Sequence, residues 1–129
     1  MSERTRPSSS AIIAGRLKKA TEFLDAAGFL ADDAPDAAVN LYVLSGIAAA
    51  DVVCCVRLNK YVIGDNHNEA VSLLKQADGS LERHLLTLLA IKSKVAYTHQ
   101  SATAGERKKA RRAAEGLERA ARLAAGLRD

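Results

Sequence analysis

The residue pattern predicts an all-α protein, an antiparallel helical bundle of four to five helices. Three observations carry this expectation. Apolar residues recur at spacings of three and four along most of the chain. The breaks between these stretches are short clusters such as Asp32-Asp33-Ala34-Pro35, Gly64-Asp65-Asn66 and Asp78-Gly79-Ser80, which join helices through tight loops. Aromatic residues make up only 4% of the chain and there is no Trp, so the core must be built of Ala, Leu and Val, which suits closely packed helices.

Residues 1–9 contain Pro7 and a serine cluster and read as a disordered N-terminal leader to a single domain over 10–127. A first helix starts near Ser10, with Ile13, Leu17, Ala20, Leu24, Ala27 and Ala31 on one stripe. Pro35 or Asp36 opens a second helix over about 36–62. It is apolar nearly all round, so it is the central one. Its Val52-Val53-Cys54-Cys55-Val56 run is β-prone, but the alanine-rich flanks and the lack of turn residues favour helix. Asn66 and Glu69 have the spacing of a capping pair for a short third helix over about 67–76. The fourth helix, about 81–98, turns Leu81, Leu85, Leu88, Leu89, Val95 and Ala96 inward. Thr103 to Glu106 is a capping box for a fifth helix reaching about Leu127.

Composition excludes several classes of function. Scarce aromatics disfavour nucleic-acid binding by base stacking. The N-terminus is polar and does not read as a signal peptide. The longest apolar or small run, Leu41 to Ala50, is about half of a membrane span. Cys54 and Cys55 are adjacent, and neighbouring helical residues point about 100° apart, so they read as two structural thiols in a reducing cytoplasm. His67, His84 and His99 show no metal-ligand spacing, and no cofactor-binding glycine loop is present. The net charge of +4 is localised: residues 1–103 carry 11 basic and 11 acidic side chains, and residues 104–129 carry 8 and 4.

A few polar residues stand where apolar ones belong. Asp51 lies in the central helix on the same face as Asn40, eleven residues earlier. It needs a Lys, Arg or His of another helix, or else it serves a functional site. On the fourth helix, Lys92 falls at about −20° from Leu85, in the middle of the apolar stripe, and His99 at about −40° on the same side. Lys92 either snorkels to water or forms a pair or a site. Lys94 points the opposite way and reads as solvated. His67 opens the third helix, where the positive end of the helix dipole favours a neutral ring suited to accept a hydrogen bond or act as a base. On the fifth helix an alanine-rich face opposes Arg107, Lys108, Arg111, Arg112, Arg119 and Arg122, with Glu115 and Glu118 four residues before Arg119 and Arg122. This is either a solvated face or an electrostatic footprint for nucleic acid.

The segments Gly64-Asp65-Asn66-His67-Asn68-Glu69-Ala70-Val71 and Leu89-Ala90-Ile91-Lys92-Ser93-Lys94-Val95-Ala96-Tyr97, in this order of helices, resemble the HEPN domains, helical bundles of prokaryotic toxin–antitoxin and defence systems. The likeness extends over about residues 11–126. Many members of that family are ribonucleases with an Arg followed, after four to six residues, by a His, and two copies form the site as a dimer. Lys92 and His99 occupy the corresponding places here with six residues between them. Lys lacks the planar, two-pronged phosphate grip of Arg, and this departure weakens the case for cleavage. Other members are nucleotide-binding or partner-binding modules. The resemblance therefore implies a non-catalytic or weakly catalytic homodimer that binds RNA or a partner protein, with Lys92, Tyr97 and His99 near the interface. The alternatives are a metal-independent ribonuclease using Lys92 and His99, and a purely structural interaction module.

Overall fold

The computed structural model describes residues 4–64 and 66–127 and is an all-α bundle. Residues 1–3 of the expected leader and Asp65 of the expected turn lie outside the described residues. Five α-helices are present among the described residues: α1 (Ser10–Leu30), α2 (Pro35–Leu58), α3 (His67–Ala77), α4 (Glu82–Tyr97) and α5 (Ala104–Ala124). The β-prone run Val52–Val56 is helical. Context decides this, because all but Val56 are fully buried among neighbouring helices.

α2 is the central element, with thirteen buried residues. By length and composition it would suit a membrane span, but 67% of its most apolar window is buried within the bundle. α1 runs antiparallel to it: Arg16 meets Asp51, and further along Ser45 donates to the Ala20 carbonyl at 2.7 Å. That short contact needs small residues at the crossing, and Ala20 and Ala27 are the two fully buried residues of α1. Ile13, Leu17 and Leu24 pack on the core while remaining partly accessible. α4 is antiparallel to α5, with His84 beside Gly116 and Lys94 paired to Glu106. α2 and α5 run parallel, since Asp36 meets Ala102 and Gly46 meets Leu117. Their N-termini therefore lie at the same end of the molecule.

Four expectations are corrected at the edges of the bundle. Residues of the expected leader are ordered: a short strand β1 (Thr5–Pro7) pairs antiparallel with β2 (Lys60–Val62), in the register Thr5↔Val62 and Pro7↔Lys60. The cause lies at Asn59, which takes the left-handed conformation at φ 59° and closes α2 by donating its backbone N–H to the Cys55 carbonyl. Asn tolerates that conformation, so α2 stops at Leu58 rather than near 62 and the next residues are free to form a strand. On α4, Ala96 is exposed rather than inward, and Leu85, Leu88 and Ile91 form the buried seam. α5 ends at Ala124, before the expected Leu127, because Gly126 reverses the chain at φ 85°.

Candidate functional site

Three groups of polar residues are distinct in space. The first is a lock between α1 and α2. Both Nε and Nη2 of Arg16 reach Asp51 Oδ2, at 3.0 and 2.9 Å. Burial pushes the Asp51 carboxyl up from 3.8 to about 6, against the pull of the Arg16 guanidinium. Asp51 thus has the helix-to-helix partner that its position required. It also raises the neighbouring Cys54 thiol, which burial has already driven up; together they hold it at about 12, so Cys54 is an inert thiol.

Because the Asp51 carboxyl is raised on folding, the folded state prefers its proton. Its stabilising effect is complete below pH 3.8 and is lost as pH rises through about 6. The change corresponds to at most about 3 kcal/mol. Urea denaturation from pH 4 to 7 is expected to show the wild type losing stability relative to Asp51→Asn by up to that amount. Burial lowers the His84 imidazole, and that effect runs the other way in the same window, but it is common to both proteins and cancels in the difference. A difference that does not change with pH would mean that Asp51 is ionised as easily in the fold as in the unfolded chain.

The second group lies between α3 and α4. Lys92 Nζ is 3.2 Å from His67 Nε2. An ammonium has donors only, so Nε2 accepts and the imidazole proton resides on Nδ1. Asn66 caps α3 by accepting the Glu69 N–H at 3.1 Å, as its spacing predicted, and this places His67 in the first turn. The pair opens on a cleft of about 350 Å³, lined also by Asn68, Leu89, Ser93 and Tyr97, whose ring is 76% exposed. His99 is not on the same helical face as Lys92. α4 ends at Tyr97, Thr98 is extended, and His99 follows in an exposed turn. The expected alignment of Lys92 with His99 needed helix to persist through residue 99, and the Thr98 hydroxyl instead closes it on the Lys94 carbonyl. The partner of Lys92 is His67.

The third group is the basic face of α5. Lys108, Lys109, Arg111 and Arg112 are exposed. Arg111 approaches Glu115 at 3.9 Å with both side chains more than half exposed, a contact that contributes little. Arg107 turns inward, toward α2, and its Nε is buried without a hydrogen-bond partner. With Lys108 and Arg111 it lines a second cleft of about 350 Å³, together with Asp32, Pro35, Ala38, Tyr42 and Ala104. Tyr42 is buried in its lining, and burial raises the phenol above its usual range. Not all of the basic stripe is free: Arg122 Nε donates to Glu118 at 2.9 Å.

No family model matches this chain, and no curated protein or solved structure matches it. The site must therefore be read from its own chemistry. Among the described residues no group of three His, Cys, Asp or Glu side chains could hold a metal ion.

Several structural contacts differ from what the residue pattern predicts. Lys94, which the pattern places in solvent, pairs with Glu106 at 2.7 Å, and that contact together with the Thr103 backbone N–H holds the Glu106 carboxyl at about 2. Glu118, which the pattern places on a wet face, is 5% exposed and accepts the Thr21 hydroxyl at 2.9 Å. A wheel centred on Ala110 places Glu118 at about 80°, on the border of the apolar stripe, which was the available signal. Asp36 accepts the Ala102 N–H at 3.0 Å, which lowers its carboxyl and ties α2 to the start of α5.

Proposed function

We propose that this chain is a helical RNA-binding module of the HEPN kind, acting as a homodimer in a toxin–antitoxin or defence setting, with the N-terminal half of α5 as its phosphate-contacting face. The observation that carries this reading is the placement of charge. Lys108, Lys109, Arg111 and Arg112 project from two successive turns, and Arg107 joins them at the bundle's end. Exposed cations at this spacing track a phosphate backbone, and their counterion release makes binding salt-dependent. Scarcity of aromatic side chains makes the contact electrostatic rather than stacked. An apolar groove between α1 and the end of α5, with Leu17, Ala125 and Leu127 among its walls, supports the homodimer.

Anisotropy with a labelled single-stranded RNA across a NaCl series tests this. Four phosphate contacts give a slope of log affinity against log salt of about −3. Replacing Lys108, Arg111 and Arg112 by Glu should abolish the slope and weaken binding by more than about 100-fold at low salt. Unchanged binding by that variant would refute the assignment, and so would a salt-independent affinity in the wild type.

The His67–Lys92 pair favours a second reading, a metal-independent ribonuclease. His67 Nε2 would take the proton of a ribose 2′-hydroxyl, the freed oxygen would attack the adjacent phosphorus, and the 5′-oxygen would leave with a proton from solvent. Lys92 would swing from the ring to the phosphorane oxygens, which frees Nε2 for the base role. In chelator, RNA cut by the wild type and by His99→Ala but spared by His67→Ala would support it. Intact RNA in every lane would leave the binding module alone.

A further inference from the structure

We infer that the cleft between the first turns of α2 and α5 is a binding site for a single phosphate monoester, with Arg107 as its central ligand. This rests in part on the reading of α5 as a phosphate-contacting face, and it goes further by naming a terminal phosphate rather than continuous backbone.

The first ground is Arg107 itself. Among the described residues its Nε is the one buried side-chain nitrogen or oxygen without a hydrogen-bond partner. A buried guanidinium N–H left unpaired is costly, and such an atom in a folded protein calls for a partner that the chain does not supply. Among the described residues neither Arg107 nor Lys108 is in an ion pair, and the carboxylates in the first turns of α2 and α5 have other partners. Asp36 is engaged with the Ala102 N–H and Glu106 with Lys94. Both carboxyls sit below their ordinary values, Glu106 chiefly through Lys94 and Asp36 chiefly through the Ala102 N–H and the Ser101 hydroxyl, with a smaller electrostatic pull from Arg107.

The second ground is convergence. Arg107 and Arg111 are four residues apart on one face of α5, Lys108 stands beside them, and all three line the same cleft. The parallel course of α2 and α5 brings two helix N-termini to this end, and Pro35 and Ala104, the first residue of each, are in its wall. The α2 N-terminus has no side-chain cap. Three cations around about 350 Å³, beside an α2 N-terminus that no side chain caps, make a field suited to a compact anion.

The third ground sets the class. Asp32 lines the same cleft as the cations. A carboxylate there repels a strand of successive phosphates crossing the cleft, but it can accept a hydroxyl from the group that bears a single phosphate. The remaining wall, with Ala31, Ala38 and the buried Tyr42, is apolar and shaped for a small moiety. A nucleoside 5′-monophosphate and the 5′-phosphate end of an RNA share this chemistry.

Calorimetry on the full chain decides the matter, with AMP, adenosine, and one RNA 10-mer made with a 5′-phosphate and with a 5′-hydroxyl. AMP should bind and adenosine should not. Arg107→Gln should weaken AMP by at least tenfold and Lys108→Gln by several-fold, with Lys75→Gln, on the exposed side of α3, as wild type. Lys108 is exposed, so its variant decides the question even if Arg107→Gln does not fold. A 5′-phosphate 10-mer binding tighter than its 5′-hydroxyl twin, with the gain lost in the variants, would assign the site to RNA ends. AMP binding with no preference between the 10-mers would assign it to free nucleotide. Failure of AMP to bind better than adenosine, or folded Arg107→Gln and Lys108→Gln both binding it as wild type, would overturn the inference. If the 10-mers still bound equally in that case, the broader RNA reading would survive. AMP binding without any RNA binding would do the reverse.

Discussion

Gly46→Val is expected to lower stability by about 3 kcal/mol and the melting temperature by about 10 °C. Gly46 sits where α2 faces both α4 and α5. A Cβ there would collide with Leu88 Cδ1 and come within 3.2 Å of Leu117 Cδ1. Leu88 and Leu117 are both fully buried, so neither has an empty rotamer to move into. Ala at this position would regain about 1 kcal/mol of helix propensity, which offsets part of the clash. Val adds two more methyl groups to the same space and has no such recovery. Thermal melts followed by circular dichroism check the order wild type, then Ala, then Val. A Val variant melting with the wild type would mean that α4 and α5 do not close on α2 at this point.

Loss of the Glu118 carboxylate is the second large effect. Its Oε2 accepts from Thr21 on α1 and its Oε1 from Arg122 on α5, each at 2.9 Å, while the side chain is 7% exposed. Charge-assisted hydrogen bonds of this kind contribute about 1.5–3 kcal/mol each, and truncation also leaves the Thr21 hydroxyl to find water. Glu118→Ala should therefore cost about 3 kcal/mol in urea denaturation. Glu118→Gln keeps an oxygen for one partner and should cost about half as much. Thr21→Ala combined with Glu118→Ala should be markedly less than additive, because both remove the same contact. Strict additivity would refute the bridge between α1 and α5.

The same residues show how far the pattern of the chain carries. Capping at Asn66 and Thr103 was legible because a cap is a local device, a side chain meeting a backbone N–H three residues on. The central place of α2 was legible because a helix without a wet face has only one place to go. Asp51 was legible as a misplaced charge that needed a partner. Its partner was not, because Arg16 lies 35 residues away and nothing along the chain distinguishes it from Lys18 or Lys19.

Composition and periodicity by themselves determined the helical class, most element boundaries, and the concentration of positive charge on the last helix. Those are properties of segments, set by local sterics and by which faces are apolar. Tertiary structure alone decided the pairings: Lys92 with His67 rather than in line with His99, Lys94 with Glu106, and Glu118 buried under α1. It also decided that α2 and α5 run parallel, which brings Arg107, Lys108 and Arg111 into one cleft with Asp32. A long polar side chain can reach in several directions at similar cost, so its partner is set by which helix packs beside it, and that is a property of the whole bundle.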